Sequence, residues 1–313
     1  MNFLHIGYPK CGSTFLQTRY FSKDNQFFNL LQIPEWKLFI ENQLLSAQSS
    51  YYLSTPPNLP VSNIDKSWMV GLSTENFLDG IHLVDLQISL KRWKTIFPET
   101  KVLIIIRKQE ELVYSNYIQY LRAGYFRNVD IYLKEIIWNS QQSIWGRLYY
   151  DRIYETTRNI FDEVLVIPYE LISSFDQFIT KLNTFFEVSA YTVDTKIRVS
   201  SSDLAQQAIR LMNYLVRFGY GKSYHSIVAD GVVGSDRHKF NALDGIDPSK
   251  KFSSRLRHKL INRIDRFATA DFQYRQRFIQ KYAGLFEDRF AESNQQLEKN
   301  LQLNLREHGY TGF

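Results

Sequence analysis

The sequence predicts an α/β protein, a parallel sheet flanked by helices with a helical C-terminal region. Three observations predict it. Short apolar runs alternate with longer stretches of helical periodicity, the pattern of strands joined by helical crossovers. One run, "KVLIIIR" (101–107), is continuously apolar and β-branched, as a central strand covered on both faces requires. The first run feeds directly into "GYPKCGSTF" (7–15), a glycine-bounded turn that opens a helix and makes the fold P-loop-like.

Taken in order, residues 3–7 read as a short buried strand, and "TFLQTRYF" has the periodicity of a helix opening. Residues 34–46 are helical in pattern, and 46–63 form a polar, proline-bearing connection. "WMVGLS" (68–73) is the second strand, and residues 83–97 fit a helix that ends before Pro98. The strand at 101–107 leads into a helix over 108–123, with Val113, Tyr117, Tyr120 and Leu121 on one face. A long helical stretch follows over 130–157, then a strand, "EVLVIPY" (163–169), and a helix at 176–186. From about 203 the pattern is helical, interrupted by a Gly/Asp-rich loop at 228–249. Without repeats or low-complexity segments, the chain reads as a single domain over 1–313, with its core in 1–190 and a helical part in 203–313.

Composition narrows the function classes. The 313 residues include 20 Tyr, 23 Phe and 5 Trp, enough aromatic surface for a large core and a stacking pocket. One cysteine rules out an intramolecular disulfide framework. No apolar run is long enough to span a bilayer, and no signal peptide precedes the first strand, so a cytoplasmic protein is expected. The net charge is +6 and the pI about 9.1. Residues 251–281 carry nine Lys/Arg against two Asp, an excess larger than that of the whole chain. This run suits a solvated helical face, or peripheral contact with acidic surfaces.

The loop carries the first chemistry. Gly7 and Gly12 keep the glycine spacing of a nucleotide-triphosphatase loop, G-x-x-x-x-G-K-[ST], but Ser13 stands where the lysine belongs and Lys10 lies two residues upstream of Gly12. Strand, turn and helix start still present backbone N–H groups to an anion. A second triplet, "GYGKS" (219–223), has Val at 216 in place of the first glycine and follows a helical segment, so it reads as a turn. The second constellation is Arg107, at the end of the strongest strand, with Ser115 two turns into the next helix. Ligands of open α/β sheets bind at the carboxyl ends of strands, and an arginine there suits a phosphate.

The pair "YPKCGSTF" and "IIIRKQEELVYS" resembles the 5′-phosphosulfate loop and the 3′-phosphate motif of sulfotransferases that use 3′-phosphoadenosine 5′-phosphosulfate (PAPS). "VLVIPYELI" (164–172) resembles the family's later strand and "YE-x-L" turn, and the likeness covers roughly residues 1–190, with "NLREHGY" near the end. The resemblance implies that Lys10 stabilises charge on the phosphosulfate oxygens and that Cys11, Gly12, Ser13 and Thr14 hold the 5′-phosphate. It implies Phe15 against the adenine, Arg107 and Ser115 on the 3′-phosphate, and Tyr169 near the base. PAPS is then the sulfuryl donor and adenosine 3′,5′-bisphosphate (PAP) the product, with no metal expected: six histidines and one cysteine show no zinc-ligand spacing.

Sulfuryl transfer needs in-line geometry and stabilisation of one leaving phosphate, which a loop without the triphosphatase lysine can supply. A base must take the acceptor proton. "GLSTENFL" (71–78) resembles the corresponding region of glycan sulfotransferases, which implies Glu75 as that base and a carbohydrate or glycolipid hydroxyl as acceptor. The lysine that follows this glutamate in some glycan enzymes is Asn76 here. Two alternatives stand beside this reading. One is a small-alcohol, phenol or lipid sulfotransferase with His82 as base; the other is a nucleotide- or nucleic-acid-binding protein without transfer activity. Nucleic acid is not the expected partner. His5 reads as core, Arg122 and Arg127 as surface charges within reach of an anionic acceptor, and 235–240 ("SDRHKF") as a late basic loop over the donor.

Overall fold

A computed structural model describes residues 1–45, 47, 49, 52–59, 67–75, 77–78, 83–123, 125, 127–138, 144–188 and 273–313. Five strands form one sheet: β1 (Asn2–Gly7), β2 (Phe27–Asn29), β3 (Met69–Thr74), β4 (Thr100–Ile106) and β5 (Glu163–Pro168). Their order is β2-β3-β1-β4-β5, and every pairing is parallel. Parallel neighbours need long crossovers, which is why helical segments separate the strands in the sequence. The expected α/β class is therefore the observed one.

The helices are α1 (Ser13–Phe15, continued as a π turn Leu16–Tyr20), α2 (Pro34–Phe39, continued as a π turn Ile40–Leu44) and α3 (Leu83–Ile96). Then come α4 (Gln109–Ala123), α5 (Val129–Trp138), α6 (Ile144–Arg147), α7 (Tyr150–Arg158), α8 (Phe175–Phe186) and the 29-residue α9 (Gln273–Leu301). Pro34 opens α2 at a position where its missing N–H costs nothing.

Three expectations need correcting. The short edge strand β2 sits where no strand was expected; its three residues are all buried. The π turns continue α1 and α2 in place of regular helix. The long helix expected over 130–157 is interrupted between Arg147, where α6 ends, and Tyr150, where α7 begins, and backbone carbonyls there are bonded elsewhere in the fold. Tyr8 donates its hydroxyl to the Arg147 carbonyl at 2.6 Å, and Gln109 donates to that of Leu148 at 3.4 Å. Carbonyls held by partners so distant in sequence interrupt the local ladder.

The core is aromatic where β1 meets its helices. Phe3 stacks on Phe21 at 4.6 Å between ring centres, with Phe27 and Phe186 edge-on to it. On the other flank Phe278, Phe286 and Phe290 of α9 are buried, and Trp145 of α6 meets the last two at 5.5 and 5.1 Å. This anchors the C-terminal helix beside α4 and α7. Gly71 of β3 is set against Phe3 so tightly that a Cβ would lie 2.0 Å from the Phe3 carbonyl oxygen. Among the described residues no helix is long and apolar enough to cross a membrane.

Candidate functional site

Strand order decides where a ligand can sit. β1 lies between β3 and β4, so chains leaving its carboxyl end diverge to opposite sides and leave a crevice there. The register brings four residues to that edge. Thr74 pairs with Ile6, which sets Glu75 beside Gly7; Gly7 pairs with Ile105, and Ile106 with Pro168, which sets Arg107 beside Tyr169.

The loop from Tyr8 to Gly12 is wound by two left-handed residues, Lys10 at φ 69° and Gly12 at φ 79°. Right- and left-handed residues in succession turn N–H groups into a concave, anion-accepting surface. A tight turn, with the Cys11 N–H on the Tyr8 carbonyl at 3.3 Å, starts the loop, and the Leu16 N–H on the Gly12 carbonyl at 3.1 Å begins the helix. Gly7 has no room for a side chain: a Cβ there would lie 2.8 Å from Ser13 Oγ and 3.0 Å from the His5 ring. Ser13 is buried, and its hydroxyl donates back to the Tyr8 carbonyl at 3.3 Å, so it offers the crevice its backbone N–H. Thr14 is exposed on the first helical turn.

Cys11 is fully buried. Burial pushes its thiol far above the ordinary value; the Arg107 guanidinium opposes this, and the Glu170 and Glu75 carboxylates add to it. Burial holds it as a neutral thiol. Both Glu75 and Arg107 therefore act electrostatically on the loop from flanking strand ends.

Arg107 is the centre of the site. Its Nη1 donates to the Lys10 carbonyl at 2.9 Å, its guanidinium lies 4.8 Å from the centre of the Tyr169 ring, and its Nη2 is 3.4 Å from Glu111 Oε2. Its Nε is buried with no hydrogen-bond partner among the described residues. The Tyr150 hydroxyl donates to the Arg107 carbonyl. The Tyr169 ring also borders the loop, since a Cβ on Gly12 would meet its edge at 3.4 Å. Ser115 is half-buried on α4, one turn beyond Glu111 on the same face.

The remaining expected residues divide clearly. Phe15 packs edge-on against Phe175 of α8 at 5.6 Å, so its ring is partly committed to the core. Arg127 is ion-paired with Glu135. His5 is buried as expected, its Nδ1 2.8 Å from Ser73 Oγ, and burial lowers its pKa to about 3. His82, the Arg122 side chain, the 219–223 triplet, 235–240 and most of 251–281 lie outside the described residues.

The sequence reading missed several participants. Glu111 stands four residues after Arg107 on a helix, a spacing that signals an ion pair. Arg275 reaches Glu111 from α9, donating from Nε at 2.9 Å and from Nη2. Glu170 accepts from the Lys108 N–H at 3.1 Å and from the Tyr310 hydroxyl at 2.9 Å, joining the "YELI" turn to the "HGY" end of the chain.

Sheet and loop define the class: a parallel α/β protein with a P-loop-like turn at the switch point of its sheet. No family model matches the chain, and no curated protein does. Among solved structures it is similar to a sulfotransferase from Alicyclobacillus acidocaldarius, with a TM-score of 0.44 and 17% identity over 81% of this chain and 98% of that one.

Proposed function

We propose that this protein is a PAPS-dependent sulfotransferase acting in the cytoplasm, which transfers a sulfuryl group to a hydroxyl of a carbohydrate or glycolipid. One observation carries the reading: two motifs nearly a hundred residues apart share one crevice, Arg107 donating to the backbone of Lys10. One further count fits a bisphosphorylated adenosine: Arg107 has a buried Nε with no hydrogen-bond partner among the described residues.

When bound, the donor supplies an electrophilic sulfur on a phosphate leaving group. The chain's residues do the rest. Backbone N–H groups of residues 11–14 hold the 5′-phosphate at the helix start. The Lys10 ammonium offsets charge growing on the oxygen that leaves sulfur. Arg107 and Ser115 grip the 3′-phosphate. Glu75 takes the acceptor proton as the acceptor oxygen bonds to sulfur and the sulfur–phosphate oxygen bond breaks. The released product is PAP.

Calorimetry with PAP tests this. The expected result is tight binding, insensitive to Mg²⁺, that Arg107→Ala weakens at least tenfold, a loss of about 1.4 kcal/mol or more. Absent PAP binding, or a steep salt dependence with polynucleotides in its place, would overturn the proposal. A labelled-donor screen over sugar nucleotides, glycolipids and short oligosaccharides then tests the acceptor class.

A further inference from the structure

Glu111 is shared unequally between two arginines, one of them at the site. Its side chain is 5% exposed, with Oε1 receiving two donors from Arg275 and Oε2 standing 3.4 Å from Arg107. Arg107 spends its better-placed nitrogen on the Lys10 carbonyl at 2.9 Å. The carboxylate is thus drawn toward the C-terminal helix and away from the arginine that faces the crevice. Arg275 places two donors on Oε1, whereas Arg107 has one nitrogen 3.4 Å from Oε2, so the direction of that pull is set by Arg275.

We infer that Arg275 is a positioning residue for anion binding: it holds and neutralises Glu111, which would otherwise close on Arg107 and cancel its charge. This rests on the reading of Arg107 as a phosphate ligand. Without Arg275, Glu111 is left as an i,i+4 partner of Arg107, with no other ion pair to it among the described residues. A buried carboxylate 3.4 Å from the ligand arginine repels an incoming phosphate as well as occupying its donor. Arg275, 40% exposed, comes from α9, whose buried Phe278 lies 5.4 Å from Tyr114 of α4. Docking of the C-terminal helix therefore sets the charge available at the end of β4.

Arg275→Ala should weaken PAP binding about tenfold, equivalent to about 1.4 kcal/mol. Adding Glu111→Gln to that variant should restore most of the loss, because the carboxylate that closes on Arg107 is gone. Glu111→Gln alone should bind PAP at least as well as the parent, and Arg275→Lys should lie between parent and Arg275→Ala. Calorimetry of all four with PAP and with adenosine 5′-phosphate reads the effect. The ratio of the two affinities should fall in Arg275→Ala while 5′-phosphate binding, through the loop, holds and shows the variant folded. A parent that binds both nucleotides alike overturns the donor reading and this inference with it. A clear preference for PAP that Arg275→Ala leaves intact, or that Glu111→Gln fails to restore, overturns this inference alone. Should Arg275→Ala not fold, a tenfold loss of PAP in Glu111→Gln alone would overturn it equally.

Discussion

Lys10 joins a proposed functional side chain to a strained backbone. At φ 69° it occupies the left-handed region. For a residue with a Cβ that conformation costs roughly 1–2 kcal/mol, and glycine escapes the cost while losing roughly 0.5–1 kcal/mol more chain entropy on folding. Lys10→Gly should therefore be more stable than Lys10→Ala by about 0.5–1 kcal/mol. Both variants remove the ammonium and whatever it touches, so their difference isolates the backbone. For a chain of this size that is roughly 1–3 °C in Tm, and it is better resolved in urea midpoints at equal slope. Sulfuryl transfer measured with labelled donor in single turnover should fall in both variants alike, by at least about a hundredfold if the lysine acts at the departing oxygen. A glycine variant no more stable than the alanine one would refute the strain argument. An alanine variant that transfers at the parental rate would refute the role given to the amine.

Three further outcomes follow from the same geometry. Gly7→Ala puts a Cβ 2.8 Å from Ser13 Oγ and 3.0 Å from His5, and neither is free to leave, so stability should drop by about 1–3 kcal/mol in urea melts together with PAP affinity. His5, lowered by burial to about pKa 3 in the fold from 6.5, binds its proton in the unfolded chain first. Its contribution is then complete above about pH 6.5 and lost toward pH 3, at up to about 1.4 kcal/mol per pH unit between them, and His5→Gln should flatten that part of the profile. Glu75→Gln should lower turnover by about 10²–10⁴ while leaving PAP binding unchanged, whereas His82→Ala should turn over normally; the reverse pattern would reassign the base.

What could be read in advance depended on how local the determining interactions are. β4 was legible because a strand covered on both faces must be apolar throughout, and "VLIII" admits no other role beside Pro98 and the helix that follows. β2 was not, since three residues carry no period, and its identity comes from pairing with Met69–Gly71. Arg107 was legible from its place after a strand, and Glu111 was available from spacing alone. Arg275 was not: it is 164 residues away and reaches the site only because α9 packs there through its phenylalanines. The break in the expected 130–157 helix has the same origin, since its carbonyls are taken by Tyr8 and Gln109, side chains no window around residue 147 contains.

The displacement of the loop lysine from position 13 to position 10 follows from what each position can hold. Residue 13 is 2% exposed and its side chain lies over Gly7 and His5, so a lysine there would bury its stem where a serine hydroxyl already fills the space. Residue 10 sits at the turn of the loop and is half-buried. The left-handed backbone needed at that turn is unfavourable for lysine, and the same residue's carbonyl receives a charge-assisted bond from Arg107. Hydrogen bonds to charged groups contribute about 1.5–3 kcal/mol, enough to offset the roughly 1–2 kcal/mol of strain. Arg107 thus stabilises the conformation that lets Lys10 stand where it does. The two motifs read separately in the sequence form one mechanical unit, and Glu111 with Arg275 governs how much of Arg107 that unit can use.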